Sequence, residues 1–136
     1  MTIALLSHAD CLLHDVGAAH PEFPARLRAI EDQLIASGLI NYLQHVEAPL
    51  ASRTQLERVH APDYISELER SAPAKGLVHL DPDTAMTPHT VKAAMRAAGA
   101  AALATDMVIK GEAETAFCSV RPPGHHAERA RARGIW

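Results

Sequence analysis

The sequence predicts a three-layer α/β protein in which helices cover both faces of a parallel sheet. Two short apolar runs, Ile3–Ser7 and Thr115–Val120, have the length and composition of buried strands. A long helical stretch from Thr87 to Lys110 leads directly into the second run. Because a helix that crosses over between strands of one sheet implies parallel strands, the pattern predicts a strand–helix–strand unit with helices packed on the sheet.

The first helix is predicted over Ala25–Ser37. Pro24 suits the first turn of a helix, and Gly38 stands where a C-terminal cap would end it. One apolar stripe at helical spacing is formed by Leu27, Ile30 and Leu34. We therefore interpret this helix as a scaffold that covers one face of the sheet.

The middle of the chain predicts a short strand and two short helices. Residues 42–46 favour the strand, and Ser52 with Gln55 has the pattern of a capping box that opens a helix over Thr54–Val59. A further helix starts near Pro62, with an apolar face formed by Ile65 and Leu68. Between the two helices lies His60, which we interpret as a structural hydrogen-bonding residue.

Residues 76–84 are expected to form a loop that carries two aspartates. Asp81 and Asp83 could hold a divalent cation or act as an acid/base pair, but the proline between them suits a turn before a helix. In that helix Thr87 is the predicted N-cap, followed by Pro88, and Gly111 ends it. Its side facing the sheet is expected to carry Val91, Met95, Ala98, Ala102 and Thr105.

Composition narrows the class of partner. The chain has 136 residues, a net charge of −3 and 13 lysines and arginines, and its basic residues form no stripe that would bind nucleic acid. We expect no signal peptide, and no apolar run approaches the length of a membrane span. Cys11 and Cys118 have no ligand-like spacing, which predicts reduced thiols in a cytoplasmic protein.

The stretch Arg121–Glu128 follows the second apolar run and carries the most specific chemistry. Two prolines remove backbone donors, so the strand is expected to stop at Val120, and Gly124 allows a positive φ or the close approach of a ligand. Adjacent histidines alone form a plain polar loop more often than a site. On this rigid platform, however, His125 and His126 can accept a proton and stabilise charge beside a reacting carbonyl.

The segment from His8 to Pro24 is also rich in polar side chains, with three histidines, two aspartates and a glutamate. Imidazoles and carboxylates in this density allow a small metal site. Their spacing is irregular and matches no recognised ligand pattern. We therefore regard a metalloprotein built on residues 8–22 as the weaker of the alternatives.

The stretch Arg-Pro-Pro-Gly-His-His-Ala, residues 121–127, resembles the loop that characterises the histone deacetylase superfamily. The form is the one shared by class II deacetylases and bacterial acetylpolyamine amidohydrolase-like proteins. Three other segments resemble that family as well, namely residues 20–26, 59–65 and 81–84. The resemblance implies the arginase/deacetylase-like α/β/α fold. It also implies a zinc-dependent hydrolase that removes acetyl groups from acetyl-lysine or acetylpolyamine amides.

The resemblance further implies roles for individual residues. His126 would be the general base, with His125 beside it, and Asp83 would bind backbone amides of the substrate. Pro123 and Gly124 would line the pocket, and Arg26 would line an inner channel. In the family the zinc ligands, an Asp-x-His pair and another aspartate, follow the histidine loop by tens of residues, as does an assisting tyrosine. They would therefore fall beyond Trp136, and we expect this chain to hold no metal.

We accordingly expect residues 1–136 to be the N-terminal portion of one catalytic domain, truncated after the early strands and without a second domain. A truncated gene product, a frameshift or a fragment would each account for this. Such a chain is expected to be inactive alone, because the zinc ligands are missing. It is also expected to be marginally stable, because its sheet edge is exposed and an apolar helix face is uncovered. The alternative is a catalytically dead module that binds an acylated ligand or a partner. The choice between protein and polyamine substrates, and the oligomeric state, stay open at this stage.

Overall fold

The computed structural model of the protein describes residues 1–133 and 135. Its main sheet contains three strands, β1 (Ile3–Ser7), β2 (Leu43–Glu47) and β5 (Thr115–Cys118), in the order β2-β1-β5. All pairings are parallel, and Leu5 of β1 lies opposite a residue of β2 on one side and of β5 on the other. The predicted parallel sheet is confirmed. The last strand ends two residues before Val120.

Helix α4 (Thr90–Ile109) packs on one face of this sheet. Alternate residues of β1 point to it, and the core between them contains Ala4, Leu6, Ala48, Ala100, Ala104, Met107 and Ala113. At Gly99 the helix passes so close to the chain after β2 that an added Cβ would lie 2.0 Å from the Pro49 carbonyl oxygen. The predicted stripe through Thr105 is wrong, because Thr105 is exposed and the side through Ala104 is buried.

The start of α4 also differs from the prediction. Pro88 and His89 form a turn, and His89, not Thr87, is the N-cap residue. The Thr87 backbone N–H donates to the hydroxyl of Thr90 at 2.7 Å, so a polar turn precedes the first helical residue. The predicted end is confirmed, since Gly111 follows the C-cap with φ of 74°.

Helix α1 (Ala25–Ala36) lies on the opposite face and gives the third layer. Its apolar stripe is only half-buried, and a cavity of about 230 Å³ lies between it and the sheet. Gly38 adopts φ of 73° after the helix, as predicted. Within residues 1–133 and 135, no helix combines the length and hydropathy that crossing a bilayer requires.

Helices α2 (Arg53–Glu57) and α3 (Pro62–Ser71) follow β2. The predicted capping box is confirmed, because both reciprocal hydrogen bonds between Ser52 and Gln55 are present. The predicted apolar face of α3 is confirmed as well, with Ile65 and Leu68 buried.

The loop predicted over residues 76–84 is wrong. This segment forms an antiparallel hairpin of β3 (Val78–Asp81) and β4 (Thr84–Met86). The carboxylate of Asp81 accepts a hydrogen bond from the Asp83 backbone N–H at 2.8 Å, which closes the turn between the strands. Asp81 and Asp83, which suggested a loop, therefore stand in the turn of a hairpin.

The C-terminal residues return to the hairpin and α3. Ile135 is buried in a core cluster with Tyr64 and Met86, and the Tyr64 hydroxyl donates to the Ile135 carbonyl at 2.8 Å. Burial, together with the nearby acidic side chains Glu67 and Asp81, raises the pKa of Tyr64 to about 12. This segment closes one side of the candidate site.

Candidate functional site

A cavity of about 740 Å³ opens beside the loop that follows β5. Three parts of the chain line it, namely residues 20–21, the hairpin turn 81–84, and the C-terminal stretch through residues 123–126, 128 and 131–133. The loop lies at the carboxyl end of a parallel strand, which is where open α/β sheets bind their ligands. The position of the cavity thus follows from the topology of the sheet.

His125 and His126 stand together at this cavity. Their ring centroids are 4.1 Å apart with an angle of 51° between the ring planes, and both side chains are exposed. A turn holds them, closed by the hydrogen bond from the Ala127 N–H to the Gly124 carbonyl at 2.9 Å. Among residues 1–133 and 135, the glycines with positive φ are at positions 17, 38, 76 and 111. Gly124 is not one of them, so of the two uses suggested for it the close approach of a ligand remains.

Most of the predicted site residues come together here. Asp83 lies in the hairpin turn, and it lines the same cavity as Pro123, Gly124 and the two histidines. Arg26 does not line it. Its side chain is 54% exposed at the start of α1, where it forms an ion pair with Glu22 at 3.3 Å. The roles assigned to all these residues stay predictions.

The hairpin turn gives the cavity a negative wall. Burial raises the pKa of Asp81, but hydrogen bonds from Asp83 and Thr84 and the charge of Arg131 outweigh burial and hold the pKa below its usual range. At the same cavity, Arg133 is paired with Glu128 at 3.2 Å. The cavity therefore combines carboxylates, imidazoles and arginines, a set that can orient a polar ligand.

Arg121 is the main residue of this region to which the sequence assigned no role. Its side chain is only 2% exposed, and its Nε and Nη2 each donate to one oxygen of Glu22 at 2.8 Å. Its Nη1 donates to the carbonyl of Cys11 at 2.8 Å and to that of His14. Besides its place as the first residue of the motif over residues 121–127, its sequence signal was an arginine directly after an apolar strand, a position where a buried charge requires an acidic partner.

His14 belongs to the same buried region and is 4% exposed. Its Nδ1 lies 2.7 Å from the Thr90 hydroxyl, and its Nε2 lies 3.9 Å from a Glu22 carboxylate oxygen. Burial, together with the nearby Arg121 charge, lowers the pKa of His14 to about 4. The imidazole is therefore neutral at neutral pH.

His8 and Asp10, two other polar residues after β1, lie 3.2 Å apart in one connected set of ion pairs. His8 contacts Glu47 at 3.2 Å, and Asp10 accepts from Arg96 at 2.9 Å. Burial raises the pKa of Asp10, but the hydrogen bond from Arg96 and the charge of His8 outweigh it and leave the pKa lowered. These contacts count against the alternative of a metal cluster over residues 8–22.

A catalytic zinc needs about three protein ligands with nitrogen, sulfur or carboxylate donors. Within residues 1–133 and 135, no group of three histidine, cysteine, aspartate or glutamate side chains is arranged to hold a metal ion. The donor set described here therefore does not fit a zinc site.

His60 forms a structural hydrogen bond, as predicted. It is buried, and its Nδ1 lies 3.0 Å from the Glu128 carbonyl. The adjacent Ala61 N–H donates to the Arg129 carbonyl at 2.8 Å. These contacts attach the chain after the histidine loop to the start of α3.

Comparison with known proteins gives a consistent result. The sequence matches the family model described as "Histone deacetylase domain" over residues 20–135. The "Histone deacetylase-like amidohydrolase" of Pseudomonas aeruginosa is 38% identical over 118 residues, covering 87% of this chain and 31% of that protein. The human "Polyamine deacetylase HDAC10" is 35% identical over 145 residues, covering 99% of this chain and 22% of that protein.

The fold agrees with these matches. The solved structure of the HDA15 HD domain superimposes with a TM-score of 0.91 at 29% identity, covering 98% of this chain and 39% of that one. The chain thus spans less than half the length of each of these relatives. The predicted α/β class is confirmed, and the chain belongs to the histone deacetylase family.

Proposed function

We propose that the chain supplies the histidine loop and part of the pocket of a hydrolase that removes acetyl groups from acetyl-lysine or acetylpolyamine amides. In this proposal residues 1–136 are the N-terminal portion of one catalytic domain. The observation that carries it is the pair His125–His126, with rings 4.1 Å apart at the cavity that Asp83 also lines.

The two imidazoles suit the proton transfers of amide hydrolysis. His126 would take a proton from the attacking water, and His125 beside it would stabilise the charge that develops. Asp83 is an exposed carboxylate at the same cavity, where it can accept hydrogen bonds from substrate amides. These roles follow the family resemblance and agree with the positions of the side chains.

For the chain by itself we propose binding without hydrolysis. The donors that a zinc ion needs are not grouped among residues 1–133 and 135. Imidazoles alone do not supply the electrophile that an unactivated amide requires. This second candidate, an acyl-ligand-binding module, therefore describes the chain as given, and hydrolysis would belong to a longer protein.

Two measurements on the same samples test these proposals. Calorimetry would compare Nε-acetyl-lysine amide and monoacetylputrescine with their unacetylated forms. An enzymatic acetate assay, with and without added zinc, would follow hydrolysis. We expect saturable binding of an acetylated ligand, weakened at least tenfold by His126→Ala and unchanged by His45→Ala, an exposed histidine on β2.

The outcomes separate the two candidates. Binding without acetate release supports the binding module for this chain. Acetate release that disappears in His126→Ala would show that the chain is itself a hydrolase and would overturn the second candidate. Equal affinity for acetylated and unacetylated ligands would refute the acyl-amide site.

A further inference from the structure

The buried ion pair between Arg121 and Glu22 joins two of the chain segments that line the cavity. Glu22 directly follows residues 20–21, which line it, and Arg121 stands two residues before Pro123, which lines it as well. Pro122 and Pro123 fix φ between Arg121 and the histidine loop. A displacement of the guanidinium is therefore transmitted to the loop through a stiff segment.

Directional hydrogen bonds hold the Arg121 guanidinium in addition to its ion pair with Glu22. All the hydrogen bonds described for it go to the segment after β1, two to the carboxylate of Glu22 and one each to the carbonyls of Cys11 and His14. These acceptors match the planar fork of arginine, whereas the ammonium of lysine is a point charge that cannot bond to all of them in one plane. The acceptors around Arg121 therefore require the planar geometry of a guanidinium as well as its positive charge.

Stability alone gives a poor account of such a pair. Removing an arginine and a carboxylate from water carries a large desolvation cost, and apolar residues of similar volume often serve a core equally well. A buried pair of this kind can instead fix one arrangement of the chain. Here the arrangement that it fixes is the position of the segment before the histidine loop relative to residues 20–21.

We propose that Glu22 and Arg121 are positioning residues that set the orientation of the His125–His126 pair relative to residues 20–21 at the same cavity. Neither side chain is among those that line the cavity, so they act through the loops that carry the lining residues. The inference rests on the proposed function for the meaning of the histidine pair. The effect of the ion pair on the orientation of the two rings can be measured without any ligand.

The test uses the whole chain, labelled with ¹⁵N and ¹³C at histidine, at a temperature well below its unfolding transition. The first variant is Arg121→Lys, which keeps the charge and loses the fork. The matched control is Arg53→Lys, because Arg53 bonds in a similar way to Glu57, Glu69 and Ser66 but on the surface between α2 and α3. The readouts are the NOE between the two imidazoles and the affinity for Nε-acetyl-lysine amide.

We expect Arg121→Lys to lose the inter-ring NOE and at least tenfold in affinity while it remains folded, and Arg53→Lys to keep both within twofold. An NOE and an affinity retained in Arg121→Lys would overturn the proposal. If that variant does not fold, Glu22→Gln replaces it, since the amide keeps the shape and removes the charge. A wild-type inter-ring NOE that Glu22→Gln leaves intact would overturn it equally.

The two proposals fail in different ways. A wild-type chain that shows the inter-ring NOE but binds no acetylated ligand contradicts the proposed function. The NOE comparison between variants still decides the positioning role in that case.

Discussion

Neutral His14 makes the folded chain sensitive to mild acid. In the folded protein its pKa is about 4, against an ordinary value of 6.5. Between these values the unfolded chain binds a proton at His14 that the folded chain does not. The free energy of unfolding therefore has its full contribution from His14 above pH 6.5 and loses it as the pH falls towards 4.

The size of the effect follows from the difference between the two pKa values. One unit corresponds to about 1.4 kcal/mol, so the His14 contribution lost over this window is on the order of 3 kcal/mol. Solvent screening does not reduce it much, because the residue is 4% exposed. In a chain of this size such a loss is a large part of the total stability.

The assay is urea unfolding, followed by circular dichroism, at several pH values between 4 and 7.5. His14→Gln keeps an amide that can bond to the Thr90 hydroxyl, which lies 2.7 Å from the imidazole in the wild type, and removes the titration. We expect the difference between wild type and variant to change by roughly 3 kcal/mol across the window. Leu56→Ala, a core change without a titrating group, should shift stability equally at every pH. An identical pH dependence in wild type and His14→Gln would refute this account.

Three further substitutions test the packing. Gly99→Ala should cost about 1–3 kcal/mol in urea unfolding, because its Cβ would lie 2.0 Å from the Pro49 carbonyl oxygen; a neutral result would mean that the two segments separate freely. Ser52→Ala should lower stability by about 1 kcal/mol through loss of the capping box, and an unchanged urea midpoint would contradict a contribution from the cap. Tyr64→Phe should lower the free energy of unfolding by about 1 kcal/mol through loss of the 2.8 Å hydrogen bond to Ile135. Faster amide exchange at the C-terminus should accompany this loss. Exchange as slow as in the wild type would count against the C-terminal attachment.

Local patterns predicted most of the elements. Strand β1, helix α1 and the capping box depend on neighbouring residues, and all three appear close to their predicted bounds. The hairpin was missed because Asp81-Pro-Asp83 has the composition of any turn, and the short strands on either side carry little alternation. The pairing that makes them strands is a contact between two segments, which periodicity within one segment does not report.

The buried side of α4 was missed for a related reason. Alanine occupies several faces of this helix, so hydropathy does not identify the side that meets the sheet. The approach of Gly99 to the Pro49 backbone decides it, and that is a tertiary contact. Where the residues of a helix are small and apolar on every side, the hydropathy pattern does not identify the buried face.

The candidate site also has a part that local sequence predicts and a part that depends on contacts between distant segments. The histidine loop could be predicted from a contiguous motif and from the rule that ligands bind at the carboxyl ends of parallel strands. The ion pair of Glu22 with Arg121 joins residues 99 positions apart and has no signal in local sequence. Arg26, which the resemblance selected, is exposed, while Arg121 is the buried arginine of this region.

The central claim is that His125 and His126 face a cavity that binds acetylated amides. The most direct test follows the imidazole signals of the histidines by NMR while Nε-acetyl-lysine amide is added to the whole chain. We predict saturable shifts at His125 and His126, with His45 on β2 unchanged. Shifts of similar size at all three histidines, or none at the pair up to millimolar ligand, would contradict the claim.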